Sequence, residues 1–295
     1  MRLLSKVHGK SLQILLVFRS KVVSLYRSFS THVIHIDGGL GSQIMQFSLY
    51  LRLKQDGKRV VLDASYYENQ VGVERSSVVT SRSWELEPFG YFLSDSSSRR
   101  RIRLRDSDFA RLYLPIYRKL IEDQSFLASN FSLKKLRIGE LLEKLKLTEE
   151  ELDDVTVIHL RQGDFLKVAS FLLGEDYYIE AIAIARKLTE TTGSKLVIVS
   201  DEEISEQRWP RLHALISGKS EESEVLTLVG HEPIVVHEFM RSCGTLICSN
   251  SNFSFTAAMF RKGKISIYPS KFYEGQTAAL NPIFKLPFGV ELKVI

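Results

Sequence analysis

A β-branched run, a glycine-rich loop and an amphipathic segment follow one another early in this chain, and that succession narrows the fold more than any other feature. Residues 32–36 (His-Val-Ile-His-Ile) form the run, and Asp37-Gly38-Gly39-Leu40-Gly41-Ser42 form the loop. Ile44, Phe47, Ser48 and Leu51 then recur at i, i+3, i+4 and i+7, the period of one helix face. Gly57 ends that helix, and residues 59–62 resume as a strand. Strand, loop, helix and strand make a β-α-β unit, which implies a parallel sheet and a right-handed crossover. Glycines between strand and helix let backbone N–H groups approach an anionic or sugar ligand closely. The spacing Gly39-x-Gly41 lacks the third glycine of a dinucleotide fingerprint, although Asp63 ends the next strand about twenty residues on. A nicotinamide-dependent dehydrogenase is therefore a weak alternative, and Asp63 is expected to cap a turn.

The alternation starts again near residue 150, where a domain boundary is expected. Residues 155–158 are an apolar run that leads into His159-Leu160-Arg161-Gln162-Gly163-Asp164-Phe165. Tyr178, Ala181, Ile182, Ala185 and Leu188 mark a helix stopped by Gly193, and residues 196–199 form a strand ending in Ser200-Asp201-Glu202-Glu203. Val236, Phe239, Met240 and Cys243 mark the next helix. Residues 246–248 run into Ser249-Asn250-Ser251-Asn252-Phe253-Ser254 and a helix over 255–261, and residues 265–268 close the set. Three strands thus end in polar clusters, and in an open parallel sheet ligands sit beyond the carboxyl ends of strands. The forked, permanently charged guanidinium of Arg161 suits a phosphate, while an ordinary Arg161–Asp164 ion pair is the plain alternative. The segment 249–254 opens a helix whose N–H groups and positive potential suit a diphosphate, and capping alone accounts for one of its polar residues. Trp84, Phe89, Tyr91 and Phe92 read as sealing a small core rather than as a sugar platform.

Composition excludes several classes. Hydrophobic residues make up 44% and charged residues 25% of 295, as in a globular protein. Cys243 and Cys248 are too few for a disulfide framework, and no second Cys/His pair completes a zinc site. The net charge of +5 is uneven: no acid precedes Asp37, and residues 1–30 carry Arg2, Lys6, Lys10, Arg19, Lys21 and Arg27. Their longest apolar run is too short to span a bilayer. A basic amphipathic helix touching a membrane surface and a helix packed on the domain both fit. The cluster Arg99, Arg100, Arg101, Arg103 and Arg105 reads as a solvated face or as an attraction to an anionic surface. No groove-reading motif accompanies it, so nucleic acid is not expected.

The loop Gly38-Gly39-Leu40-Gly41-Ser42-Gln43 and the helix behind it resemble the amino terminus of glycosyltransferase family 11, the α-1,2-fucosyltransferases. The family's His-x-Arg-Arg-Gly-Asp-Tyr motif is similar to residues 159–165, with Gln162 for the second arginine and Phe165 for the tyrosine. Its Asn-Ser-x-Phe-Ser segment is similar to residues 250–254, and its Ser-Asp-Asp to Ser200-Asp201-Glu202. Ser42 stands for the usual asparagine, and Phe255-Thr256 for the usual tryptophan pair. The resemblance spans residues 33 to about 270 in the family's order.

What the resemblance implies is an α/β chain of two Rossmann-like domains facing across a cleft, the GT-B type. Residues 31–150 form the acceptor side, 151–270 the GDP-fucose side, 1–30 a basic extension and 271–295 a tail. The reaction is inverting transfer of L-fucose from GDP-β-L-fucose to a glycan hydroxyl, the glycan free or lipid-linked, without a metal or other cofactor. Arg161, Asp201, Ser251, Asn252, Phe253 and Ser254 would hold the donor, with Arg161 on the departing diphosphate. Asp164 or His159 would take the acceptor's proton, Asp164 alternatively holding Arg161 in place. Gly38, Gly39, Gly41 and Gln43 would line the acceptor side. An arginine restored at 162 is expected to be tolerated. The expected location is the cytoplasm or the cytoplasmic membrane face, and an inactive glycan- or nucleotide-binding relative is the remaining alternative.

Overall fold

The computed structural model describes residues 31–68, 82–93, 106–133, 138–167, 172–189, 195–218 and 225–293. The basic segment 1–30, the arginine cluster at 99–105 and Gly193 lie outside the described residues.

Strand β1 (His32–His35), helix α1 (Leu40–Gln55) and strand β2 (Val60–Asp63) form the expected unit, the strands pairing in parallel from His32↔Val60 to His35↔Asp63. Gly38 takes a left-handed φ of 77° to turn the chain into α1, a conformation that costs other residues more. Arg52 and Lys54 sit in the last turn of α1, where cations suit the helix dipole. The Asp63 carboxylate accepts the Ser65 N–H at 3.1 Å, which is the turn cap, and also pairs with His35 at 2.9 Å. Among the described residues, the small sheet holds these two strands. The first Rossmann-like unit is thus reduced, among the described residues, to one crossover. Helices α2 (Asp106–Glu122), α3 (Gln124–Phe131) and α4 (Gly139–Leu145) fill out this side. The first two have no counterpart in the sequence reading; Pro115 interrupts the helical pattern of α2 from within.

The large sheet is built from β3 (Thr156–Leu160), α5 (Glu175–Thr189), β4 (Leu196–Ser200), α6 (Pro210–Ile216), β5 (Val225–Val229), α7 (Pro233–Ser242), β6 (Thr245–Ile247), α8 (Asn252–Met259), β7 (Ile265–Pro269) and β8 (Val290–Leu292). All neighbours are parallel, in the order β5-β4-β3-β6-β7-β8. Counted from β3, that is the doubly wound order, with its switch point between β3 and β6. Every residue of β3, β4 and β6 is buried. Val157, Val197 and Val199 face one core cluster, Ile158, Leu160 and Ile198 another. Both faces are covered, so these strands read as unbroken apolar runs. Residues 271–295, expected as a tail, instead supply a 3-10 segment (Gly275–Ile283) packed on α2 and the sixth strand, β8.

The two units share one core. Ile34, Met45 and Leu49 of the small unit belong to the same cluster as Phe255, Ala257 and Phe284. Helix α1 lies directly on the start of α8, and a Cβ at Gly41 would fall 2.4 Å from Phe253 Cα. Behind α8, the fully buried Arg261 donates to the carbonyls of Met240, Gly244 and Ile265 at 2.8–3.0 Å. It thereby ties the end of α7 to β6 and β7.

Candidate active site

A cleft of about 560 Å³ opens at the carboxyl ends of β3, β4, β5 and β6, between them and the glycine loop. Arg161 enters it from the end of β3, Asp201 from β4, Gly230 and His231 from β5, and Ser251, Asn252 and Phe253 from β6. Gly38, Gly39, Gly41, Tyr66, Arg82 and Glu85 form the facing wall. The topology explains the convergence, because β3 and β6 flank the switch point and each spills its terminal residues into the same crevice.

Arg161 is held in place. Its Nη1 donates to Asp201 Oδ2 at 2.6 Å, and its guanidinium lies 5.2 Å from the centre of the Phe165 ring. The other oxygen of Asp201 accepts the backbone N–H of Gln162 at 2.9 Å. Asp201, expected on the donor, thus anchors Arg161. Gly163 has φ 36°, and a Cβ there would sit 2.3 Å from Asp201 Oδ2, so the turn after β3 leaves room for this pair only with glycine. Asp164 lies on the 3-10 turn Gly163–Lys167, and its side chain is outside what the structure describes.

His159 is buried beside Phe253, its Nδ1 2.8 Å from Ser249 Oγ. Burial first, and then the charge of Arg161, push its pKa down to about 3. The imidazole is therefore neutral at ordinary pH, a hydrogen-bonding partner and a poor proton acceptor.

The helix-opening segment is committed mostly to itself. Ser251 Oγ caps α8 through the Phe253 N–H at 3.3 Å. Asn252 bridges the two sides of the cleft, donating to Ser42 Oγ at 2.8 Å and accepting from the Tyr273 hydroxyl at 3.1 Å. Ser254, expected on the donor, is fully buried and bonds to the carbonyls of Ser249 and Ser251; it does not line the cleft. Gln43 is likewise fully buried. Its amide holds the carbonyls of Gly38 and Ser83 at 3.1 and 2.8 Å and accepts the Glu85 N–H at 2.8 Å. It shapes the glycine loop, expected on the acceptor side, from behind instead of facing the cleft.

Gln162 occupies the place of the expected second arginine, and it is 2% exposed. Its Nε2 donates to Ser200 Oγ at 2.8 Å and to the Glu202 carbonyl at 3.1 Å, while its Oε1 accepts the Trp209 indole N–H at 2.8 Å. The residue is a knot under the cleft floor, and an arginine has no acceptor to offer Trp209. The expectation that arginine is tolerated there fails on that geometry.

Sequence reasoning missed Tyr66, Arg82, Glu85, His231 and Tyr273 as cleft residues. They come from a short helix (Ser65–Glu68), from irregular stretches or from the last thirty residues, and no motif spacing marks them. Of the four loop aromatics, Trp84, Phe89 and Tyr91 pack around Phe47 and Phe131, whereas Phe92 is 72% exposed. Both cysteines are buried free thiols. Among the described residues, no three His, Cys, Asp or Glu side chains converge on one point, and no helix is long and apolar enough to cross a membrane.

No family model matches the sequence, and no curated protein matches it. Among solved structures, a heptosyltransferase of E. coli, WaaC, described with ADP, is similar over 90% of this chain and 93% of its own, at 10% identity and a TM-score of 0.39.

Proposed function

We propose that the chain is an inverting glycosyltransferase that moves a fucosyl group from GDP-fucose to a glycan hydroxyl, without a metal ion. The observation that carries this reading is the placement of Arg161. An anchored guanidinium stands at the switch-point crevice, beside the amino end of α8 and opposite a glycine loop. In glycosyl transfer the main demand on the protein is to stabilise charge developing on the leaving diphosphate. A fixed cation and a helix amino terminus meet that demand without a metal. A dinucleotide site is less well served, because the first βα turn of this sheet reads Arg161-Gln162-Gly163-Asp164, with one glycine where that fingerprint has three. The fucosyl identity rests on the motif resemblance, as do the glycan acceptor and its α-1,2 linkage. A membrane-facing protein with a lipid-linked acceptor is proposed from the basic segment 1–30 and the arginine cluster at 99–105.

The test is transfer from labelled GDP-fucose to a glycan array in chelator-treated buffer, with GDP-fucose hydrolysis followed in parallel. Product on galactoside-terminated glycans supports the reading; donor binding without turnover points to a binding protein. In active protein, Arg161→Ala should lower kcat/KM roughly a hundred- to a thousand-fold, the size of one charge-assisted leaving-group contact. Arg161→Lys should recover little, since it loses the fork that reaches Asp201 and a phosphate together. A folded Arg161→Ala protein within a few-fold of wild type would remove the basis of the proposal.

A further inference from the structure

Glu85 is the cleft carboxylate that the motif reading does not use. It stands in the wall opposite Arg161, in the irregular stretch after the described residue Arg82. Two features fix it. Its backbone N–H donates to Gln43 Oε1 at 2.8 Å, and Gln43 in turn grips the Gly38 and Ser83 carbonyls. Its carboxylate accepts the backbone N–H of Leu40, the first residue of α1. The second oxygen, Oε2, is buried and has no hydrogen-bond partner among the described residues.

Most of the described competing groups are occupied, and His231, which also lines the cleft, has its Nε2 3.0 Å from Lys144 Nζ. Asp201, the other carboxylate lining the cleft, gives one oxygen to Arg161 and one to the Gln162 N–H. His159 is neutral, with its Nδ1 on Ser249. Asp63 is paired with His35 and Ser65, and Asp37 takes a hydrogen bond from Gln46 at 2.8 Å. Burial raises the Glu85 pKa above the usual carboxylate range, against the lowering pull of the Leu40 N–H and of Arg82. A carboxylate shifted upward is a better proton acceptor near neutral pH than an ordinary one.

We propose that Glu85 is the catalytic base, its cleft-lining carboxylate taking the proton of the acceptor hydroxyl. This rests on the glycosyl-transfer reading above. The acceptor oxygen forms its bond to the anomeric carbon while the bond from that carbon to the diphosphate oxygen breaks. The electron pair leaves with the diphosphate, and the hydroxyl proton passes to Glu85. The glycine loop, through its closeness to Glu85, then places the acceptor hydroxyl between the carboxylate and the sugar held near Arg161.

The experiment compares wild type, Glu85→Gln and Asp164→Asn. Each is measured for GDP affinity by calorimetry, for transfer kcat across pH, and for donor consumption with added azide. Azide attacks without a proton to lose, so it needs no base. The expected result for Glu85→Gln is GDP affinity within about three-fold of wild type and transfer slowed a hundred-fold or more. The acidic limb of the pH profile should disappear, and azide should restore donor consumption with formation of the glycosyl azide. Should the glutamine variant not fold, Glu85→Asp keeps the titrating group. It should show lowered kcat with the acidic limb retained, and a limb lost with that carboxylate still present would overturn the proposal. Transfer by Glu85→Gln within about five-fold of wild type, or loss of GDP affinity together with transfer, would also overturn it, the second outcome reducing Glu85 to a cap on α1. An acidic limb that vanishes in Asp164→Asn and persists in Glu85→Gln would hand the role to Asp164. A wild type that neither binds GDP nor transfers sugar overturns the functional reading itself, and Glu85 with it. An active wild type beside an unaffected Glu85→Gln overturns Glu85 alone.

Discussion

Gln162 shows how a residue can match a motif position and serve a different purpose. Its side-chain partners are Ser200, the Glu202 and Glu203 carbonyls and the Trp209 indole, 38 to 47 positions away in sequence. Gln162→Arg would leave the Trp209 donor unsatisfied and press a charge into a buried floor, each a recognised source of large destabilisation. We expect a loss of about 2–4 kcal/mol from two such effects, read as a lowered urea midpoint at unchanged m-value. Activity should fall as well, since Asp201 and Arg161 meet at the same turn; a variant of wild-type midpoint and activity would contradict the knot. Arg161, Asp201 and Ser251 were legible in the sequence because each is a chemically distinctive residue at the end of an apolar run. Glu85 was not. It lies in a stretch without periodicity, and its meaning comes from Leu40 and Gln43, contacts that no local pattern encodes. Ser254 and Gln43 err the other way, as polar side chains whose types suit ligand binding but whose hydrogen bonds serve the backbone.

At the level of elements, two glycines of one loop separate into two roles. A Cβ at Gly41 would strike the Phe253 backbone, whereas a Cβ at Gly39 would meet only the Arg82 side chain at an ordinary 3.6 Å. Gly41→Ala must therefore push α1 off α8, an overpacking cost of about 1–3 kcal/mol. Gly39→Ala, at a backbone angle open to any residue, should change stability by no more than about 0.5 kcal/mol. Thermal unfolding of the two variants side by side checks this. Equal losses would mean that the α1–α8 contact gives way freely. The sequence marked all three loop glycines alike, as places for a ligand to approach. They are told apart by the packing of α8, a helix that begins 210 residues further along the chain than Ser42. Elements with strong local signals, such as α1, β3 and β4, were legible. Edge strands β5 and β8 were not, because partial exposure dilutes the apolar run that marks a buried strand.

Across the whole molecule, burial of histidines sets the response to acid. His159 is depressed to about 3 and His237 lies well below its ordinary 6.5, in both cases chiefly through burial. Between those values and 6.5 the unfolded chain binds the protons that the folded chain refuses. Their contribution to stability is thus complete above about pH 6.5 and is lost as pH falls, by up to about 1.4 kcal/mol per pH unit for each histidine. Glu85 opposes them. Its raised pKa lets the folded state hold a proton longer, a contribution present below its ordinary 4.5 and lost as pH rises through the raised value. Urea midpoints between pH 7.5 and 5.5 should therefore fall on acidification; a flat or inverted profile would contradict the burial of the two imidazoles. The six-stranded order itself could not be read from sequence, since strand adjacency is decided by crossovers and not by any run of residues. The backbone contact at Gly41 and the Asn252–Ser42 bond also bear on turnover. If the chain is the transferase proposed above, two halves already seated on each other leave no clamshell to shut, so a bound donor should leave the radius of gyration unchanged. The entropy of assembling the reaction centre would then be spent once, during folding, and not again in every cycle.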